Sequence, residues 1–86
     1  MKIIFSEQAW EDYQFWVVND RKTLKRINQL IRDTARDPFR GVGKPEPLRH
    51  LLKSYWSRRI NEEHRMVYCV KENQLMLAQL RYHYEC

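Results

Sequence analysis

Two hydrophobic periods divide this chain. Up to residue 36 the apolar positions recur at helical spacing, and beyond residue 48 they alternate singly, as in strands. Lys2–Phe5 reads as a short leading strand. Ser6 can cap a helix, with Glu7 in the first turn where a negative charge favours the helix dipole. Ala9, Trp10, Tyr13, Trp16 and Val17 share one face, which predicts a first helix over 7–18. Asn19-Asp20 interrupts it, and Asp20 can cap a second helix, where Leu24, Ile27, Leu30, Ile31 and Ala35 form an apolar stripe. The other faces of that helix carry Arg21, Lys22, Lys25, Arg26, Arg32 and Arg36. In the plainer reading this is a solvated surface; in the sharper one it is a track for a nucleic-acid backbone.

Both glycines and all three prolines fall within Pro38–Pro47, a stretch that cannot continue a helix or a central strand. Pro45 and Pro47 flank Glu46 and restrict it to an extended conformation, so its carboxylate loses little backbone entropy when positioned. Period two then predicts strands at Leu48–Leu52, Tyr55–Ile60, His64–Val70 and Leu75–His83, with turns at Asn61-Glu62-Glu63 and Lys71-Glu72-Asn73. Strands joined by turns this short pair antiparallel. The expected fold is a single α+β domain over 1–86. It has an N-terminal strand, two α-helices, and an antiparallel β-meander forming one twisted sheet with the helices on one face.

Composition narrows the functional classes. A chain of 86 residues buries only about 60% of its unfolded surface, and eleven aromatic residues supply one core of large side chains. No apolar run approaches the roughly 20 residues of a membrane span, and Met1–Phe5 is too short for a secretion signal. Cys69 and Cys86 do not make a disulfide framework, so a reducing cytoplasm is expected. The formal charge of +5, ten of the sixteen cations being Arg, points to an acidic or polyanionic partner.

With helices on one sheet face, polar strand residues belong on the other; Arg59, Arg65, Arg81 and His83 are the candidates. A three-residue loop at Asn61-Glu62-Glu63 sets Arg59 opposite Arg65. Two facing guanidinium groups repel each other and call for an anion: Glu46, Glu63 or a bound phosphate. A salt-bridge network with the acidic turn is the plainer alternative. By alternation with Leu80, Tyr82 belongs to the core. Tyr55 and Trp56 read as exposed aromatics that would support a homodimer. Metal-free RNA cleavage needs a base for the ribose 2′-hydroxyl, an acid for the leaving 5′-oxygen and a cation for the charge gained at phosphorus. An imidazole titrates at about 6.5, so His83 can serve as the acid near neutrality. Glu46 is a weak base unless burial or a substrate phosphate strengthens it. His50, His64, His83, Cys69 and Cys86 show no zinc-type spacing, so neither metal nor other cofactor is expected. His64 reads as a structural histidine, Cys69 as a small strand residue and Cys86 as a free thiol; His50 either orients Glu46 or caps a strand.

Several strings together carry a resemblance: Trp10 through Trp16, Gly43-Lys44-Pro45-Glu46-Pro47-Leu48, Tyr55-Trp56-Ser57-Arg58-Arg59-Ile60, Glu62-Glu63-His64-Arg65 with Val67-Tyr68, and Arg81-Tyr82-His83-Tyr84. In this order they resemble the YoeB family of toxins within the RelE superfamily, over nearly the whole chain. The resemblance implies a bacterial toxin that enters the A site of the 70S ribosome and cuts mRNA there, leaving a cyclic phosphate and a 5′-hydroxyl. It implies Glu46 as general base and His83 as general acid. Arg65 would be the phosphate and transition-state clamp, aided by Arg59, and Tyr84 would position the nucleotide or help proton transfer. Lys44, Arg49 and Arg81 would be further phosphate contacts; Arg49 stands where the family often has Lys. Basic helix faces would meet 16S rRNA, and the partner would be a YefM-like antitoxin with an acidic C-terminal segment. The same superfamily also holds ParE-like toxins that act on gyrase without chemistry of their own, the alternative reading.

Family members with this pattern end at the tyrosine matching Tyr84, whereas Glu85-Cys86 follow it here. Both residues can project into solvent, so deleting them is expected to leave ribosome-dependent mRNA cleavage unchanged. A rise of about tenfold in the cleavage rate would instead mark them as inhibitory.

Overall fold

Capping sets the helix boundaries. In the computed structural model, which describes residues 1–48 and 54–82, Ser6 Oγ accepts the Ala9 amide at 3.0 Å and α1 runs Glu7–Asn19. Asp20 receives the Thr23 amide at 3.1 Å and the Thr23 hydroxyl at 2.8 Å, starting α2 at Arg21–Arg36. The bond from the Thr23 hydroxyl, then that from its amide, holds the Asp20 carboxyl below the ordinary carboxylate range. Both caps stand where the residue pattern puts them.

Among the described residues the strands are β1 (Lys2–Phe5), β2 (Glu46–Pro47), β3 (Tyr55–Arg59), β4 (Arg65–Lys71) and β5 (Gln74–Gln79). They form one unclosed, mixed sheet in the order β1-β5-β4-β3-β2. β1 pairs parallel with β5 and the other neighbours pair antiparallel. A parallel connection needs a crossover, and α1 and α2 provide it. The helices cover one sheet face. Ile27 and Leu30 of α2 meet Met66, Tyr68, Leu75, Leu77 and Leu80 there, in a core where each is at most 1% exposed. From the first helix's expected stripe only Ala9 and Trp16 are buried. Trp10 is 52% exposed, stacked on Tyr13 and edge-on to Phe5.

Three strand expectations need correction. The strand expected at Leu48–Leu52 begins earlier, at Glu46–Pro47, paired with Ser57 and Trp56; residues 49–52 lie outside the described residues. Two prolines beside Glu46 are tolerated because β2 is an edge strand. The last strand stops at Gln79. Trp56, expected to be exposed with Tyr55, packs against Phe39 at 4.8 Å, and Tyr55 is half-buried.

The register carries more information than the strand limits. Ile60 N donates to His64 O at 3.0 Å, closing the three-residue loop 61–63, and Arg59 pairs with Arg65 as expected. The next hairpin turns on Glu72 and Asn73, both left-handed (φ 53° and 58°), so Lys71 opposes Gln74. That two-residue turn puts odd positions of β4 beside even positions of β5, as Cys69 beside Met76. A bulge then places Val67 opposite Gln79 and restores odd beside odd. Gln79 therefore lies opposite Val67 only because of a bulge that no residue pattern announced.

The face rule also has an exception. Arg58 lies on the helix face and is 0% exposed. Its Nη1 donates to Asp33 Oδ2 of α2 at 2.6 Å and to Val42 O at 3.1 Å, and its Nη2 to Asp37 O at 2.6 Å and Arg40 O at 2.9 Å. Nε adds a longer bond to Tyr68 Oη at 3.3 Å, and that hydroxyl donates to Pro38 O at 2.6 Å. Thus the loop between α2 and β2 folds around a buried guanidinium. Gly41 (φ 120°) is required in it, because a Cβ there would sit 2.1 Å from Asp33 Oδ2. The bond from Val42 N–H, then that from Arg58, holds the Asp33 carboxyl below its ordinary range.

Replacing Arg58→Met leaves Asp33 only the exposed Arg36 and the Val42 amide and leaves three loop carbonyls without their donor, so unfolding in urea should show a loss of about 3–5 kcal/mol. The pH dependence follows from Asp33. Because its folded pKa is depressed, its stabilisation is complete above the ordinary value of 3.8 and is lost as pH falls through the folded pKa. Asp33→Asn should melt below the wild type at neutral pH, and the gap should narrow in the acid limb. A gap constant with pH would contradict this.

Candidate active site

On the sheet face away from the helices, three adjacent strands bring one carboxylate, one hydroxyl and two guanidinium groups together. Glu46 on β2 opposes Ser57 on β3, and Arg65 on β4 opposes Arg59 on β3. The Arg65 side chain reaches back across β3. Its Nη1 donates to Ser57 Oγ at 3.1 Å and lies 3.0 Å from Glu46 Oε1. Arg65 is only 16% exposed, whereas Glu46 is 59% exposed. The guanidinium is therefore set into the sheet while the carboxylate stands at its edge. Arg59 is exposed beside them, and Arg59, Asn61, Glu62 and Arg65 line a depression of about 140 Å³.

Backbone contacts determine where Glu46 stands. Arg59 N donates to Gly43 O at 2.7 Å, and Leu48 N donates to Tyr55 O at 2.8 Å, tying the chain to β3 on either side of Glu46. Gly43 (φ 86°) lies close enough that a Cβ would meet Leu30 Cδ2 at 2.9 Å. Lys44 is left-handed (φ 52°) and exposed, two residues before Glu46. Of the other expected site residues, Arg49, His83 and Tyr84 lie outside the described residues, as does His50.

Arg81 is not on the face of Arg65. Its guanidinium lies 3.5 Å above the Phe15 ring of α1 and 4.7 Å from the Tyr82 ring centroid. Cation–π attraction and the end of β5 at Gln79 turn it toward the helices. Tyr82, expected in the core, is 55% exposed and left-handed (φ 62°), so alternation stops before it.

Alternation with Arg59 puts Ser57 on the face of Arg65, but nothing in the residue pattern gives it a role. Asp12 went unnoticed altogether. It is buried on the helix face, accepting the Leu80 amide at 2.9 Å and Gln8 Nε2 at 2.9 Å. His64 is buried and structural, as expected, and Arg26, read as part of a basic track, instead donates to Arg59 O and Ile60 O.

Residues 5–84 match the family described as "YoeB-like toxin of bacterial type II toxin-antitoxin system". The chain belongs to this family of YoeB-like toxins. It is 56% identical over 84 residues to Toxin YoeB of Escherichia coli K12, covering 98% of this chain and 100% of the relative. A YoeB/ParE toxin from Agrobacterium tumefaciens superposes with a TM-score of 0.95 at 46% identity, covering 98% of this chain and 100% of that one. YoeB of Staphylococcus aureus, solved as a dimer and in a YoeB-YefM complex, superposes with TM-scores of 0.91 and 0.90 at 47% and 46% identity, covering 98% of each chain. The helices and mixed sheet described above are thus those of a YoeB-like toxin.

The Glu46 carboxylate is 59% exposed and keeps its hydration, so its contact with Arg65 adds little to stability, on the order of 0–1 kcal/mol. Glu46→Gln is therefore expected to shift the urea midpoint only slightly. A loss well above 1 kcal/mol would make Glu46 a structural residue rather than a site residue.

Proposed function

We propose that this YoeB-like toxin is a ribosome-dependent endoribonuclease that cuts mRNA in the A site. The observation that carries the reading is the contact of Glu46 with Arg65 on the sheet face away from the helices. A carboxylate and a guanidinium that meet across β3 supply the base and the clamp that metal-free phosphodiester cleavage needs. Neither is needed there for packing.

In the reaction, the scissile phosphate takes the place of Glu46 on the Arg65 guanidinium, whose planar donors suit two phosphate oxygens. Glu46, released from its cation, accepts the proton of the ribose 2′-hydroxyl. The 2′-oxygen attacks phosphorus, the bond to the 5′-oxygen breaks, and His83 gives that oxygen a proton. The products are a 2′,3′-cyclic phosphate and a free 5′-hydroxyl. Arg65 and Arg59 offset the charge gained at phosphorus. Tyr84 positions the nucleotide, and Lys44 and Arg49 hold flanking phosphates. His83 follows Tyr82, whose carbonyl accepts the Arg65 amide at 3.1 Å, which supports bringing acid and clamp together.

The protein would work in the bacterial cytoplasm. Its partner would be a YefM-like antitoxin, whose acidic segment would engage the basic open face; the Staphylococcus aureus relative is in complex with YefM. A homodimer, as in that relative, is part of the same proposal.

Glu46→Ala and His83→Ala should each lower cleavage of mRNA on programmed ribosomes by about 10²–10⁴-fold, with ribosome binding retained. Mapping 5′ ends on purified ribosomes measures this. Full cleavage by both variants would reject the enzyme reading, and inhibition of gyrase supercoiling would favour the binding-toxin alternative.

A further inference from the structure

The chain leaving β5 is held by almost all of its backbone polar groups. Leu80 N donates to Asp12 Oδ2 at 2.9 Å, and Leu80 O accepts Trp16 Nε1 at 2.9 Å. Arg81 O accepts Gln79 Nε2 at 2.9 Å. Tyr82 N donates to His64 Nδ1 at 2.8 Å, and Tyr82 O accepts Arg65 N at 3.1 Å. These bonds tie a segment past the last strand to α1 on one side and to β4 on the other. They hold Tyr82 at φ 62°, a left-handed conformation that side chains with a Cβ rarely adopt unless their surroundings hold them there.

His64 stands at the centre of this arrangement. It is 7% exposed, with its ring edge-on to Trp16 at 4.9 Å and tilted against Tyr82 at 5.5 Å. Because Nδ1 accepts a hydrogen bond, the ring proton resides on Nε2, which faces Glu63 Oε1 at 3.6 Å. Asp20, Glu63 and Arg81 are the charged groups lining the same hollow. The ring also immediately precedes Arg65 in β4. The left-handed turn at Tyr82 is therefore pinned on one side by His64 and on the other by the backbone of the phosphate clamp.

We infer that His64 is a positioning residue for the cleavage reaction, its Nδ1 holding the left-handed turn at Tyr82, whose carbonyl accepts the Arg65 amide. The inference rests on His83 acting as the acid, as proposed above. It assigns His64 no contact with substrate. A misplacement of about 1 Å in a reacting group lowers the rate by about 100-fold, so the acceptor at Nδ1 should be felt in turnover rather than in binding.

Two substitutions separate this role from packing. His64→Asn retains an oxygen acceptor near the Nδ1 position but loses the ring against Trp16. His64→Phe retains a ring of similar size but gives Tyr82 N–H no acceptor. Positioning predicts that His64→Phe loses about 100-fold in kcat on programmed ribosomes with KM nearly unchanged. It also predicts that His64→Asn keeps most of the turnover despite a lower melting temperature. The reverse order, or equal turnover in both, overturns the inference. In the unsubstituted protein, nitrogen NMR at neutral pH should show His64 Nδ1 unprotonated and the Tyr82 amide protected from exchange. A protonated Nδ1 overturns the inference even where a variant fails to fold. Loss of cleavage in Glu46→Ala and His83→Ala alongside full activity in His64→Phe would defeat this inference alone, and absence of cleavage by the unsubstituted protein would defeat the functional reading beneath it.

Discussion

Burying a guanidinium is expensive unless every donor finds an acceptor, and Arg58 meets that condition by forcing the neighbouring loop to fold around it. One carboxylate, three loop carbonyls and a phenol surround it. The loop from Asp37 to Gly43 contains few apolar side chains with which to pack itself. It is ordered because its carbonyls are the solvation shell of Arg58. The same loop leads directly to Lys44, Pro45 and Glu46. The location of the proposed base thus depends on a residue that points away from it, through the body of the sheet.

β3 makes that coupling possible. Its residues alternate, so Arg58 organises the loop beneath the sheet while Ser57 and Arg59 face the open side above it. The Arg59 amide binds Gly43 O, Ser57 receives the Arg65 guanidinium, and Glu46 pairs with Ser57 across the edge. Three consecutive residues therefore connect the loop, the clamp and the carboxylate. With no substrate bound, Glu46 and Arg65 neutralise each other at 3.0 Å. In the proposed reaction a phosphate arriving at Arg65 both binds there and frees the Glu46 carboxylate from its cation.

Much of this was legible from the residues. Helix limits followed from Ser6 and Asp20, whose caps act locally, and the Arg59–Arg65 pairing followed from loop length. Those signals are short-range, and nothing distant competes with them. Features set by tertiary structure were not legible. Arg58 reads like its neighbour Arg59 until Asp33, twenty-five residues earlier, is known to face it. The bulge opposite Val67 changes parity without a glycine to mark it. Arg81 turns to Phe15, and Tyr82 turns outward, because β5 ends at a carboxylate from α1 that looked like an ordinary polar helix residue.

The polar interior has a consequence for stability. Arg58, Asp33, Asp12, His64 and Ser57 occupy buried volume in a chain of 86 residues that has little to spare. Apolar residues of similar shape commonly match or exceed the stability of a buried ion pair. Stability alone therefore does not explain why so small a core is given to hydrogen bonds. What these residues share is direction: Arg58 and Asp33 hold the segment before Glu46, Ser57 holds Arg65, and Asp12 and His64 hold the segment before His83. An apolar core could keep the sheet and helices together while leaving those two segments free to wander. The polar interior specifies the two ends from which the proposed base and acid approach one clamp, at the expense of stability that a hydrophobic interior would supply.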